Sequence, residues 1–286
     1  MASSLQNLKD QYVSDDDKAV IETISRALDS ESVEGEQTAA EELDKNSPPV
    51  SSPQDVEDYL WRLWGVFISV ARAVGHKSGR PGLTTLVGIV KALKAREKGT
   101  VSLWGRDTQL WKDLPLFGAI VRDTWNTDPA YEGAVPSPAD AEEWRNLNSF
   151  AARLFGEGAV DWPIYGLWQL RSALENPPSP DEANVECSIL AATEWIFHSG
   201  KALFILGEAD SEEEPLDPAN GQPTSPGPLY TGSDGFSRDR WDFWKKQLQL
   251  IVDSGILSRA KVKAVAEGAV KAMEEIEQGK SVSWDA

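Results

Sequence analysis

Glu194 and His198 stand four residues apart, a spacing that puts both side chains on one face of a helix. Their chemistry would be acid/base work: a carboxylate beside an imidazole raises its basicity and fixes its orientation. They are the candidate catalytic residues. With about 100° per residue, Cys187 and Lys201 join them within about 40° of one axis, while Ile189, Ala192, Ile196, Phe197, Leu203 and Phe204 fall elsewhere. Cys187 lies about 16 Å from His198 along the axis, too far for a thiol–imidazole dyad. Two readings of this face compete. In one it meets water and the pair contributes roughly a few tenths of a kcal/mol; the ordinary amphipathic pattern favours this reading. In the other it lines an internal cleft and the pair does chemistry.

The twelve tryptophans are the second unusual feature. Trp61 and Trp64, and Trp241 and Trp244, recur three residues apart, and Trp162 and Trp168 share one helix, a pattern that more often marks a core than a ligand cage. A pocket reading assigns ligand binding to Trp64, Arg122, Trp125, Trp168, Arg171 and Trp195, with aromatic walls and a few polar groups around a small apolar or aromatic ligand. Polar neighbours such as Arg145, Asn146 and Asn148 beside Trp144 would serve equally as partners for buried indole N–H groups.

Neither a metal nor a cofactor is expected. Glu194 and His198 would supply two ligands, and the other histidine, His76, falls in a Gly-rich turn without ligand spacing. Asp15, Asp16 and Asp17 follow Ser14 at a helix start, where acids complement the helix dipole without any metal. The chain has no phosphate-cradling Gly motif and no G-x-S-x-G elbow.

The elements that must position these residues read as helices. Hydrophobic residues make up 41% and charged residues 26%, a normal balance for a globular protein. Helical periodicity recurs from Ser52 onward, with starts at Ser52-Pro53, about Leu114, Ser137-Pro138, Asp161, Ser179-Pro180, Ser237 and Ser258 and a further helix ending near Gly99. No convincing strand alternation and no fixed-period repeat stands out. The fold expected is all-α, a non-repetitive bundle of about eight helices, with an irregular helical-hairpin solenoid as the alternative. Residues 1–51 read as an acidic, largely disordered segment with one short helix after Ser14, and 52–286 as a helical domain interrupted by a mobile acidic Pro/Gly-rich loop at 207–235.

Of the net charge of −18, residues 1–50 hold −8 and residues 206–235 hold −7, leaving the body near neutral. No basic stripe suits nucleic acid or an anionic membrane surface. One cysteine permits no internal disulfide. The first residues lack the apolar stretch of a secretory signal, and no apolar run of spanning length is free of charge. The expected location is cytoplasmic or nuclear.

The succession "DYLWRLWGVFISVAR", "LVGIVKALK", "LWKDLPLFGAIVRDTWN", "NLNSFAARLFGEG", "YGLWQLRSALE", "AATEWIFHSGKALF" and "DRWDFWKKQLQLI" resembles a family of uncharacterised fungal proteins catalogued as a domain of unknown function, over roughly residues 56–275. The resemblance implies a helical fold and an intracellular fungal source, and brings no catalytic residues. The function expected is that of a helical protein-interaction or regulatory module with a protein partner; the alternative is a metal-independent enzyme or small-ligand binder with a Trp-rich pocket, using Glu194 and His198 as an acid/base pair.

Overall fold

In a computed structural model of the chain, residues 2–75, 81–208 and 223–282 are described. Contacts divide the chain into two compact units, Met1–Asp128 and Pro129–Ala286. Eleven α-helices, a 3₁₀ turn at Tyr131–Gly133 and one β-hairpin are found among the described residues, so the all-α expectation holds with one small exception. Eight of those helices follow Ser52, as the periodicity predicts.

In the first unit, α1 (Ala2–Gln11), α2 (Asp15–Ser30) and α3 (Val33–Asn46) precede α4 (Pro53–Ala73) and α5 (Pro81–Lys94). The expectation of disorder over 1–51 is therefore corrected. Ser14 and Ser32 accept the N–H of Asp17 and Gly35 as caps. α2 buries Ile21, Ile24 and Leu28, and α3 buries only Ala39, Ala40 and Leu43. Small side chains let α3 lie against α5, where a Cβ on Gly88 would strike the Glu36 carboxylate. The polar residues of the segment are used too. Glu42 accepts from Arg26, and Asp44 accepts from Arg96 Nε (2.9 Å) and Trp111 Nε1 (2.7 Å).

A hairpin follows α5, formed by β1 (Thr100–Leu103) and antiparallel β2 (Arg106–Gln109). Its turn residues Trp104 and Gly105 both have positive φ (52° and 75°), as a tight two-residue connection requires. Four-residue strands with only Val101 and Leu103 buried are too short for alternation to show. α6 (Phe117–Trp125) completes the unit. At its centre Trp64 stacks on Phe117 with 4.3 Å between ring centroids and donates its N–H to the Pro115 carbonyl.

The second unit holds α7 (Pro138–Gly156), α8 (Pro163–Leu174), α9 (Glu182–Leu206), α10 (Arg238–Ser254) and α11 (Ala260–Glu277). α9 packs on α7, α8 and α11. Glycine makes two of these approaches possible. A Cβ on Gly156 would collide with the His198 carbonyl oxygen, and one on Gly166 would lie 2.7 Å from the Trp195 ring. By length and composition α9 is the one helix among the described residues apolar enough to cross a membrane; its apolar residues are mostly buried against its neighbours.

Ser137 and Ser237 cap α7 and α10 as predicted. The starts of α8, α9 and α11 shift by one or two residues. Pro163 opens α8 after Trp162, and Asp181 caps α9 by accepting from Ala183 and Asn184. The Ser258 N–H is drawn to Glu182 (2.8 Å), leaving Arg259 at the cap position of α11.

Residues 209–222 of the loop expected at 207–235, and the turn at His76, lie outside the described residues. The described part, from Pro223 on, is held by a buried ion pair, contrary to the expectation of mobility across the loop. Glu175 and Arg240 have fully buried side chains. Glu175 accepts from Arg240 Nε (2.7 Å) and Nη2 (3.0 Å), Trp244 Nε1 (2.6 Å) and the Gly227 N–H (2.6 Å). Arg240 also donates to the carbonyls of Thr224, Ser225 and Gly235. A buried pair persists only when its remaining hydrogen-bonding capacity is met in this way.

Candidate ligand-binding cleft

α9 brings Glu194 and His198 together, as their spacing predicts, with 3.2 Å between Oε2 and Nε2. The favoured solvent-facing reading is corrected for these two residues. Glu194 is buried against α7, and Arg145 from α7, itself buried, donates Nε to its Oε1 at 2.7 Å. Further along the stripe, Lys201 is exposed. Burial pushes His198 below its ordinary value of 6.5, partly opposed by the hydrogen bond to Glu194, while the positive charges of Arg153 and Arg145 add to the depression. Nε2–H is placed to donate to Glu194. Both Glu194 oxygens are engaged inside the protein, which suits the joining of two helices better than proton exchange with a substrate.

The tryptophan set is divided between the units. Trp64, Arg122 and Trp125 belong to the first, and Trp168, Arg171 and Trp195 to the second. Trp64 and Trp125 are buried there and Arg122 is exposed. In the second unit Trp195 is fully buried and donates to Asn148 Oδ1 (2.8 Å). Trp168 and Arg171 both donate to the Pro223 carbonyl, at 2.8 and 3.2 Å, and Arg171 also to Ser225. Trp64, Trp168 and Trp195 thus use their indole N–H groups on the protein's own acceptors, the core role that helical spacing favours.

The concavity lies nearer the start of α9. A cleft of about 320 Å³ opens in the second unit, walled by Pro138, Ala141 and Arg145 from α7, by Glu186 and Cys187 from α9, and by Arg259. Its size falls within the range of small-molecule sites. The expected polar stripe therefore divides: Cys187 lines a cleft, whereas Glu194, two turns on, is covered by α7. Arg145 joins the two regions, with Nε on Glu194 and its side chain in the cleft wall. At the rim, the Ser258 side chain and then its N–H, which donates to Glu182, hold the Glu182 carboxyl below the ordinary value of 4.5.

Glu186 is the group sequence reasoning missed. Its side chain is only 3% exposed, yet it lines the cleft. Oε2 pairs with Arg259, and Oε1 has no hydrogen-bond donor among the described residues. Buried carboxylate oxygens almost always have donors, so this one is chemically unusual. Helical periodicity carries no sign of it, because Glu186 reads as one more acid near a helix start, and Arg259 reaches it from another element.

No curated protein and no solved structure matches the chain. A family model described as "Protein of unknown function (DUF3632)" matches residues 64–248, from within α4 to within α10. The match covers more than half of the sequence, and the chain belongs to that family.

Proposed function

We propose that the protein is a small-ligand-binding helical module whose binding site is the cleft between α7, the first half of α9 and the start of α11. The observation that carries this reading is Glu186, a buried carboxylate that lines a cleft of suitable size and has an oxygen without a donor. Leaving such an acceptor unsatisfied costs about 1–3 kcal/mol, more when it is charged, and a ligand that supplies the donor recovers it. The engagement of Glu194 by Arg145 and His198 supports binding rather than acid/base catalysis. A thermal-shift screen of metabolites on the full chain tests the proposal. A ligand at about one hundred times its Kd stabilises by about 2.7 kcal/mol, and that stabilisation should shrink in Glu186→Gln. A screen without hits, or hits indifferent to Glu186→Gln, would overturn it.

An interaction-module reading has one observation of its own. Trp104 at the hairpin tip is 64% exposed, lies 6.2 Å from the Trp61 ring and donates to Glu57. Exposed tryptophan is a common anchor of protein interfaces. Photo-cross-linking from position 104 in cells should then give one discrete adduct, and a smear would count against this reading.

A further inference from the structure

Resting on the ligand-binding reading, we propose that the cleft takes a cationic nitrogen, an ammonium or guanidinium on a short aliphatic stem, which binds Glu186 in the place that Arg259 holds. The chain itself displays the chemistry. Arg259 lays its guanidinium against the buried Glu186 carboxylate, although the Arg259 side chain is 63% exposed and lies before the first turn of α11. One oxygen of Glu186 is occupied by that internal cation, and the other has no donor among the described residues. A ligand cation in the place of Arg259 would pair with Oε2, and Oε1, which is closed to solvent with Arg259 in place, would come within its reach only as Arg259 moves away.

The charge around the cleft points the same way. Glu142, Glu182 and Glu186 line it against two cations, Arg145 and Arg259. That lining carries more carboxylates than guanidiniums, which favours a cation over an anion. Pro138, Ala141, Ala183 and Leu190 supply an apolar wall for the stem. Displacing Arg259 releases only the exposed partner of the pair, whose guanidinium can move into water while the buried Glu186 carboxylate receives the ligand cation.

The test uses the full chain and four probes matched in shape: butylguanidinium, butylammonium, butanol and butyrate. Binding is read by calorimetry and localised by amide shifts at Cys187 and Ser258. The two cations should bind and the neutral and anionic probes should not. Glu186→Gln should weaken the cations at least about 10-fold. Arg259→Ala should tighten them by up to about 5-fold, because it removes the internal competitor from an ion pair whose cationic side is exposed. This second variant alters an exposed side chain and guards against a folding defect in the first. A fifth arm, acetyl-Gly-Arg-Gly-amide, separates the sources. Binding more than about 10-fold tighter than butylguanidinium would assign the cation to a partner's basic side chain rather than a free amine. If butyrate or butanol shifts the same amides as well as the cations do, the cation proposal fails while the cleft remains a binding site. Weaker cation binding in Arg259→Ala, or no cation binding to either form, also overturns it; the cleft itself then stands or falls on the metabolite screen.

Discussion

At the scale of single residues, His198 has a testable signature. Burial keeps its folded-state value below the 6.5 of a free imidazole. Between those two values the unfolded chain binds a proton that the folded chain does not, so stability rises with pH there. The contribution is fully present above 6.5, declines as pH falls through 6.5, and levels off once the folded value is passed. Urea midpoints measured from about pH 8 to pH 5.5 should therefore drop, and His198→Asn should flatten the decline. Equal slopes in the two proteins would show that His198 is not the titrating group. The pairing of His198 with Glu194 was legible because a four-residue step is local geometry. What covers the pair was not, since Arg145 lies 49 residues from Glu194 and no periodicity links them. Glu186 was illegible for the same reason: its partner, Arg259, lies far along the chain at the cap position of α11.

Among the elements, the long amphipathic helices of the body were legible from spacing and from Ser-Pro starts. α3 was not, because its burial relies on Ala39, Ala40 and Leu43, which carry little hydrophobic signal, and on ion pairs with distant residues. The close crossing of α7 on α9 was also hidden, although it depends on Gly156. Gly156→Ala should destabilise the protein by about 1–3 kcal/mol, since the obstructing atom is a backbone carbonyl that cannot rotate aside. Equilibrium unfolding checks this, and an unchanged midpoint would mean that the helices slide apart without cost. The Glu175–Arg240 pair makes a larger demand. Glu175→Ala leaves Arg240 buried without its carboxylate, and a loss of about 3–5 kcal/mol is expected in the same measurement.

For the whole molecule, the helical class and the family were readable from the order and texture of the segments, and both are shown. The division after Asp128 was not, because the stretch between α6 and α7 has the length and composition of an ordinary helix connection. Each unit has buried apolar residues of its own, and a fragment of residues 129–286 should keep helical circular dichroism and melt cooperatively. A broad, non-cooperative melt would show that this core needs the first 128 residues. The buried pair at Glu175 has one further consequence, for engineering. It fixes α10 to the end of α8 through side chains, a link that does not run along the chain between them. A chain divided between α9 and α10 and co-expressed as two pieces should therefore reassemble through this pair, and co-purification of the pieces would check it.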